Sequence, residues 1–462
     1  MRREQPKITV LTMASYGVGK YLAEFLTGAF GAVVYKFYET EIGLPALYVA
    51  LATILYSLWN AVNDPLIGYL TNKGAPFSSR LGRRFPWIII GLLLTALSFI
   101  LIFSVPSSWI ANAKSNPLPV FIWMVLTICL FDGSYSLWEL NYQSIFPDKF
   151  REQEVRRKSA GISTAVGVLG VAAGFVVPPL FFSYGDIPSY LTSAIVIAAV
   201  TVAGIILLNP GIRETKEMIS RFVIHKDEKK DENFLSSITK AFRHRDLKAF
   251  ILLLFLYQSG AMCMTSSVHY VGNYILNVES SGTTVIFAGM LIGTLVSIPF
   301  WMKLSKRGVN NQKMLIITSF VMAAFSFPMT FLSTIGSFAV SMGLWGVGFG
   351  GFWTFMTPAM ADIVDEIVVQ EKRRDDGVLM GLRAFFMRFS YASQAIVFYI
   401  VHTATRFDAD PTSGAAKLGI SLHMAAIPSL FFLTGAILFI KMNTLDSSRI
   451  AKNKEALESM DI

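Results

Sequence analysis

Asp132, Ser136, Glu139 and Gln143 follow one another at spacings of four, three and four in a stretch that is otherwise apolar. On a helix this spacing puts all four on one narrow stripe, with Tyr135 beside it. A stripe with two carboxylates lines water or a ligand, whereas packing glue between helices in lipid uses Ser, Thr or Gly. An earlier apolar stretch carries Asn60, Asn63 and Asp64 just ahead of Pro65. Three oxygen-bearing side chains within one turn suit a hard cation, and a buried carboxyl is equally a proton site. The plainer alternative is a polar collar where Pro65 opens the helix. Lys20 and Glu24 lie one turn apart in the first apolar stretch and share a face, as a ligand-facing group or as a pair that merely neutralises itself. Late in the chain, Arg383 and Arg388 are five residues apart and do not share a face.

The elements that hold these residues are membrane spans. Hydrophobic residues make up 53% of the 462 and charged ones 15%, against roughly 25% charged in soluble domains. Twelve segments reach the roughly 20 apolar residues a bilayer requires, at about 12–36, 44–71, 86–105, 120–146, 159–183, 188–209, 247–275, 283–303, 313–333, 336–360, 377–401 and 419–441. Backbone groups in lipid must be satisfied within the segment, so an all-α membrane fold is expected. Of the forty Lys and Arg residues, Lys20, Lys36, Arg383 and Arg388 sit inside spans. Only Lys114, Arg406 and Lys417 occupy one set of alternate gaps, and all the others fall in the other set or at the span ends that border it. Basic loops stay cytoplasmic, which threads the chain in one pass with both termini inside, in the plasma membrane. The net charge of +9 is then explained by inner loops facing an anionic leaflet, without nucleic acid.

A charged stretch around Lys226–Glu232 separates the sixth span from the seventh. The organisation expected is a six-helix bundle over 1–209, a cytoplasmic linker over 210–246, and a second six-helix bundle with a short tail over 247–462. Lys20 and Glu24 argue against a cleavable signal, so the first segment is expected to remain as a span. Cys129 and Cys263 are too few for a disulfide framework or a zinc site. Gly17–Lys20 imitates a phosphate loop, and Gly346–Gly351 imitates a dinucleotide fingerprint. Both lie in spans without a βαβ unit, and close helix packing accounts better for the second. No nucleophile–His–acid set or metal-ligand cluster is evident, so neither an enzyme nor a cofactor is expected. His269 is expected at the membrane interface, and Tyr257 and Gln258 are candidates to line a cavity.

Several segments together resemble the glycoside–pentoside–hexuronide:cation symporter family (melibiose permease-like) of the major facilitator superfamily. They are Ser15-Tyr16-Gly17-Val18-Gly19, Trp59-Asn60-Ala61-Val62-Asn63-Asp64-Pro65-Leu66-Ile67-Gly68, Arg80-Leu81-Gly82-Arg83-Arg84-Phe85-Pro86-Trp87, Ala361-Asp362-Ile363-Val364-Asp365 and Arg374-Asp375-Asp376-Gly377. The resemblance implies two six-helix bundles around a central cavity. It implies a sugar site with Glu24 and Glu139 as the carboxylates, Arg388 in place of a lysine, and Gln143 in place of an aromatic residue that stacks on the sugar. The family's fifth-helix arginine has no counterpart; its position falls near Ile162. For the coupling cation, Asn63 and Asp64 match, Ser136 replaces a threonine, and Asn60 replaces an aspartate. That last change removes one negative charge and leaves Na+, H+ or no coupling open.

The expectation is a secondary active symporter of a small polar solute, a sugar or sugar derivative, for which a monomer suffices. Lys20, Asp132 and Arg383 would belong to the surrounding charge network. Arg80, Arg83 and Arg84 would face Asp362 and Asp365 as a cytoplasmic gate, unless the basic residues merely obey loop-charge topology. Two alternatives stand beside it. One is another cargo such as a lysophospholipid or amphiphile, and the other is a non-transporting receptor.

Overall fold

The computed structural model describes residues 8–72, 81–215, 218–219, 244–372 and 376–460. Arg80 and most of the 210–246 linker lie outside them. The chain divides into two compact units, Met1–Lys229 and Lys230–Ile462. Unit one contains α1 (Val10–Lys36), α2 (Ala46–Asn72), α3 (Phe85–Ile102), α4 (Leu118–Lys149), α5 (Gln153–Val176) and α6 (Ile187–Ile212). Unit two contains α7 (Arg245–Tyr270), α8 (Thr283–Ser305), α9 (Asn311–Ser326), α10 (Ile335–Glu371), α11 (Asp376–Arg388), α12 (Ser390–Thr405), α13 (Gly414–Ser421), α14 (Ile427–Met442) and α15 (Ser447–Met460).

Among the described residues, 11 helical stretches are long and apolar enough to cross a membrane. The first helix, α1, is as long as its neighbours, with 27 residues. It falls outside that set because Lys20 and Glu24 dilute its hydropathy. The eleventh span is not one helix. It breaks at Phe389, between α11 and α12, where the Ser390 hydroxyl donates to the carbonyl of Met387. A side chain that competes for backbone carbonyls in this way favours a helix break.

The two units repeat one packing scheme. In unit one α1 packs on α5 and α6, α4 on α2 and α3, and α3 on α6. In unit two α7 packs on α12 and α14, α10 on α8 and α9, and α9 on α14. These are the same pairs six spans later. The corners repeat as well. Helix α1 ends in a π turn, Phe37–Glu41, and α7 in another, Val271–Ile275. In the first, the Ile42 and Leu44 amides donate to Phe37 and Tyr38; in the second, those of Leu276 and Val278 donate to Val271 and Gly272. A left-handed residue follows in each, Gly43 at φ 75° and Asn277 at φ 52°. Glycine and asparagine are the residues that enter this region at least cost.

Small residues let the most extensive seams close. On α5, Ser159, Ser163, Gly167, Gly170 and Gly174 are buried along one face. A Cβ on Gly170 would stand 2.2 Å from the carbonyl oxygen of Tyr21. On α8, a Cβ on Gly293 would stand 1.9 Å from the carbonyl oxygen of Gly343. Gly346 and Gly350 of the apparent nucleotide fingerprint meet the backbone of Met290 and Thr294 in the same seam. Lipid offers no hydrophobic drive for helices to associate, so close backbone approach and van der Waals packing hold such seams together.

Gly170→Ala and Gly293→Ala should each lower thermal stability in detergent by roughly 1–3 kcal/mol, the usual cost of overpacking a rigid seam. Gly336→Ala, where nothing lies within 4 Å of the added carbon, should leave the melting temperature unchanged or raise it.

Candidate functional site

Helices α2 and α4 meet through a buried polar cluster. Asn60 and Asn63 lie three residues apart on α2, and both side-chain amides donate to the carboxylate of Asp132 on α4. Asn60 reaches Oδ1 at 2.7 Å, and Asn63 bonds to Oδ2. One turn further along α4, the Ser136 hydroxyl donates to Oδ1 of Asn63 at 3.4 Å. The Tyr56 hydroxyl accepts from Asn60 at 3.3 Å. Asn63 is 0% exposed, Asp132 and Ser136 3% and Asn60 7%, so protein rather than solvent surrounds this carboxylate. Asp64, next in sequence, is half-buried. Asn60, Asn63 and Ser136, which the family resemblance groups, thus lie in one cluster with Asp132.

The second half of the α4 stripe belongs to another group. The Gln143 amide donates to Oε1 of Glu139. Lys20 Nζ on α1 lies 2.5 Å from Glu24 Oε1, and the Glu139 charge acts on the same ammonium. Lys20 and Glu24 retain 47% and 32% side-chain exposure, Glu139 is half-buried and Gln143 is exposed. The Lys20 stem runs over Gly167 of α5, where a Cβ would come within 2.6 Å of its Cγ. Below this group, Tyr16 and Tyr142 stack at 4.4 Å, and each hydroxyl donates to the other's backbone carbonyl, which ties α1 to α4. One face of unit one therefore presents an ammonium, two carboxylates and an amide.

Arg388 ends α11 at the Phe389 break, and both it and Arg383 are half-buried. Tyr257, expected as a cavity residue, is a core residue, 1% exposed and stacked on Phe352 at 3.9 Å. Gln258 is half-buried. His269, expected at the interface, is fully buried, with Nδ1 3.3 Å from the Thr283 hydroxyl. Elsewhere in unit two, the Nε2 atoms of His402 and His423 lie 3.1 Å apart and the Ser267 hydroxyl is 2.6 Å from His423 Nδ1.

At the ends of the spans the charges first serve their own units. The Glu214 carboxylate accepts the backbone amides of Arg84 and Phe85 at 2.8 and 3.1 Å and so caps α3. Burial pulls the Arg84 guanidinium down to about 10, helped by neighbouring Arg83 and opposed by Asp148 and Glu214. It stays charged at neutral pH. Asp362 accepts from Asn311 at 2.9 Å, and Asp365 is half-buried. Glu366, buried beside them, accepts from Gln370 and Asn453 at 2.5 Å each and from Arg449, which straps α15 to the end of α10.

Lys36 also has its answer. Its ammonium lies 2.7 Å from Glu41, and the two side chains are 2% and 4% exposed. Glu41 also accepts from the Tyr190 hydroxyl and the Gly185 amide. The π turn makes this pair hard to foresee, because on a regular helix residues 36 and 41 point apart.

A family model described as MFS/sugar transport protein matches residues 15–444. The sodium-dependent lysophosphatidylcholine symporter 1 of Xenopus tropicalis is 20% identical, over 99% of this chain and 91% of its own. The lactose permease of Lactobacillus helveticus is 24% identical, over 96% of this chain and 70% of its own. The crystal structure of the nucleoside transporter NupG superimposes with a TM-score of 0.63 at 13% identity, covering 95% of this chain and 100% of that one. It shares the major facilitator fold.

Glu41→Gln should strand the buried Lys36 ammonium and cost about 3–5 kcal/mol, the usual penalty for breaking a buried pair. The Lys36→Met/Glu41→Gln double variant should recover most of it in thermal unfolding.

Proposed function

The chain belongs to the MFS/sugar transport protein family and is a multi-pass membrane transporter, and we propose that it is a cation-coupled symporter of a sugar or sugar derivative. Two bundles of six spans give a bound solute alternating access to the two sides of the plasma membrane, with both termini cytoplasmic. Glu24 and Glu139 accept hydrogen bonds from solute hydroxyls, and Gln143 adds a donor and an acceptor. Arg388 orients the solute, or a carboxylate on it, from the second bundle. Lys20 supplies from α1 a cation that lies over α5, the helix in which the family's arginine is missing. Asn63, Asp64, Ser136 and Asn60 hold Na+ or H+. Arg80, Arg83 and Arg84 oppose Asp362 and Asp365 when the cytoplasmic side is shut.

One observation carries this reading. The polar residues of α4 divide between a buried cluster against α2 and an accessible group against α1. A solute needs the accessible one and a small ion the buried one. Because one helix serves both, occupancy of either biases the other.

A second reading is favoured by the relatives. Several of them are named sodium-dependent lysophosphatidylcholine symporters, and Gln143 stands where the resemblance places a sugar-stacking aromatic. Uptake into proteoliposomes discriminates, with glycosides and lysophosphatidylcholine offered separately and Na+ and pH gradients imposed one at a time. Concentrative glycoside uptake under one gradient is expected. Transport of lysophosphatidylcholine alone would replace the sugar assignment, and gradient-independent movement of every solute would remove the symport.

Glu139→Gln should raise the half-saturating solute concentration about 10- to 100-fold, the loss of a charge-assisted hydrogen bond worth about 1.5–3 kcal/mol. Asp64→Asn should abolish concentrative uptake while solute exchange continues; unchanged gradient-driven uptake would exclude Asp64 from the coupling site.

A further inference from the structure

The Asn-Asp-Pro motif of α2 is not the only source of a carboxylate at this cluster, since α4 brings Asp132 to it. On α2, positions 60 and 63 are both amides, and both turn their nitrogen onto a single carboxylate from α4, that of Asp132. This carboxylate is 3% exposed. Asn63 then links it to Ser136 through its own oxygen. We propose that Asp132 is a coupling residue: it supplies from α4 the carboxylate that α2 lacks at Asn60, and the coupling cation is taken up against it. This inference rests on the symport reading and specifies which charge performs the coupling.

A carboxylate in the membrane interior is tolerated when protein dipoles replace the water it has lost, since an unpaired buried charge costs several kcal/mol. Two amide NH2 groups do that here. When a hard cation arrives, it asks for oxygens. Each asparagine can provide one by turning its amide half a revolution about a terminal torsion that is broad and nearly two-fold. The amides thus act as donors to the bare Asp132 carboxylate and, once turned, as ligands to a cation beside it. A proton produces the same exchange, because protonated Asp132 becomes a donor and one amide must offer its oxygen. Either event breaks a hydrogen bond between α2 and α4. Glu139 lies seven residues beyond Asp132, about 10 Å along the same helix, so that change is transmitted to the solute group.

The test moves the charge without removing the contact. Asp132→Asn should keep the wild-type melting temperature and solute exchange, but raise the half-saturating cation concentration at least about tenfold, as loss of a charged ligand does, or abolish concentrative uptake. The double variant Asn60→Asp/Asp132→Asn restores a carboxylate–amide pair with the charge on α2. It should return cation-driven uptake to within about threefold of wild type, a fraction of the 5- to 150-fold range of typical couplings. A purely structural Asp132 would give no such rescue. Wild-type cation dependence in Asp132→Asn overturns the inference, and so does a folded double variant that stays uncoupled. Should Asp132→Asn alone fail to fold, the double variant is decisive by the same criteria. In both overturning results Asp64→Asn still uncouples transport, which leaves the symport reading standing. A wild-type protein that answers to neither Na+ nor pH would overturn both.

Discussion

A carboxylate enclosed between two helices in lipid must be solvated by the protein, and the bond pair from Asn60 and Asn63 to Asp132 does so. With the Ser136–Asn63 bond, this contact joins α2 to α4 by hydrogen bonds as well as by packing. It converts a desolvation penalty into a geometry with two settings, amide nitrogens inward or amide oxygens inward. Coupling in a transporter needs an element of this kind, whose equilibrium two ligands can both bias. Under the proposed function, the short distance along α4 from Asp132 to Glu139 connects the two settings to the solute group.

Such a contact can move only if the surrounding helices are held elsewhere. The seams between α1 and α5 and between α8 and α10 meet that need, since glycine brings backbone against backbone and leaves no side chain to rearrange. The Tyr16–Tyr142 pair and the buried Lys36–Glu41 bridge fix unit one towards either end of α1. In unit two, Glu366 fastens α15 to α10. The repeated helix pairing and the repeated π turns after α1 and α7 give two bundles built on one plan. Their polar contents differ: amides and carboxylates in the first, guanidinium groups and a histidine pair in the second.

Spans and fold class are legible in the sequence because bilayer thickness and loop charge act on whole segments. Local spacing is legible too: Lys20 and Glu24 are one turn apart and do pair, and Asn60 and Asn63 do share a face. Pairings across helices are not legible. Asp132 stands 69 and 72 positions from its amide partners, and nothing in the local pattern names them. Lys36–Glu41 and the Phe389 break escape for a different reason, since both depend on departures from regular helix geometry that single hydroxyls and π turns impose. Tyr257 and His269 look like cavity and interface residues by composition, yet stacking on Phe352 and bonding to Thr283 bury them.

The central claim is that ion and solute groups on α4 are energetically linked. Equilibrium binding tests it most directly, with solute affinity of the purified protein measured with and without Na+ and at two pH values. Linkage predicts that one of the two cations tightens solute binding, by a factor in the range of about 5 to 150, and that solute tightens cation binding by the same factor. A solute dissociation constant that is identical under all four conditions would contradict it.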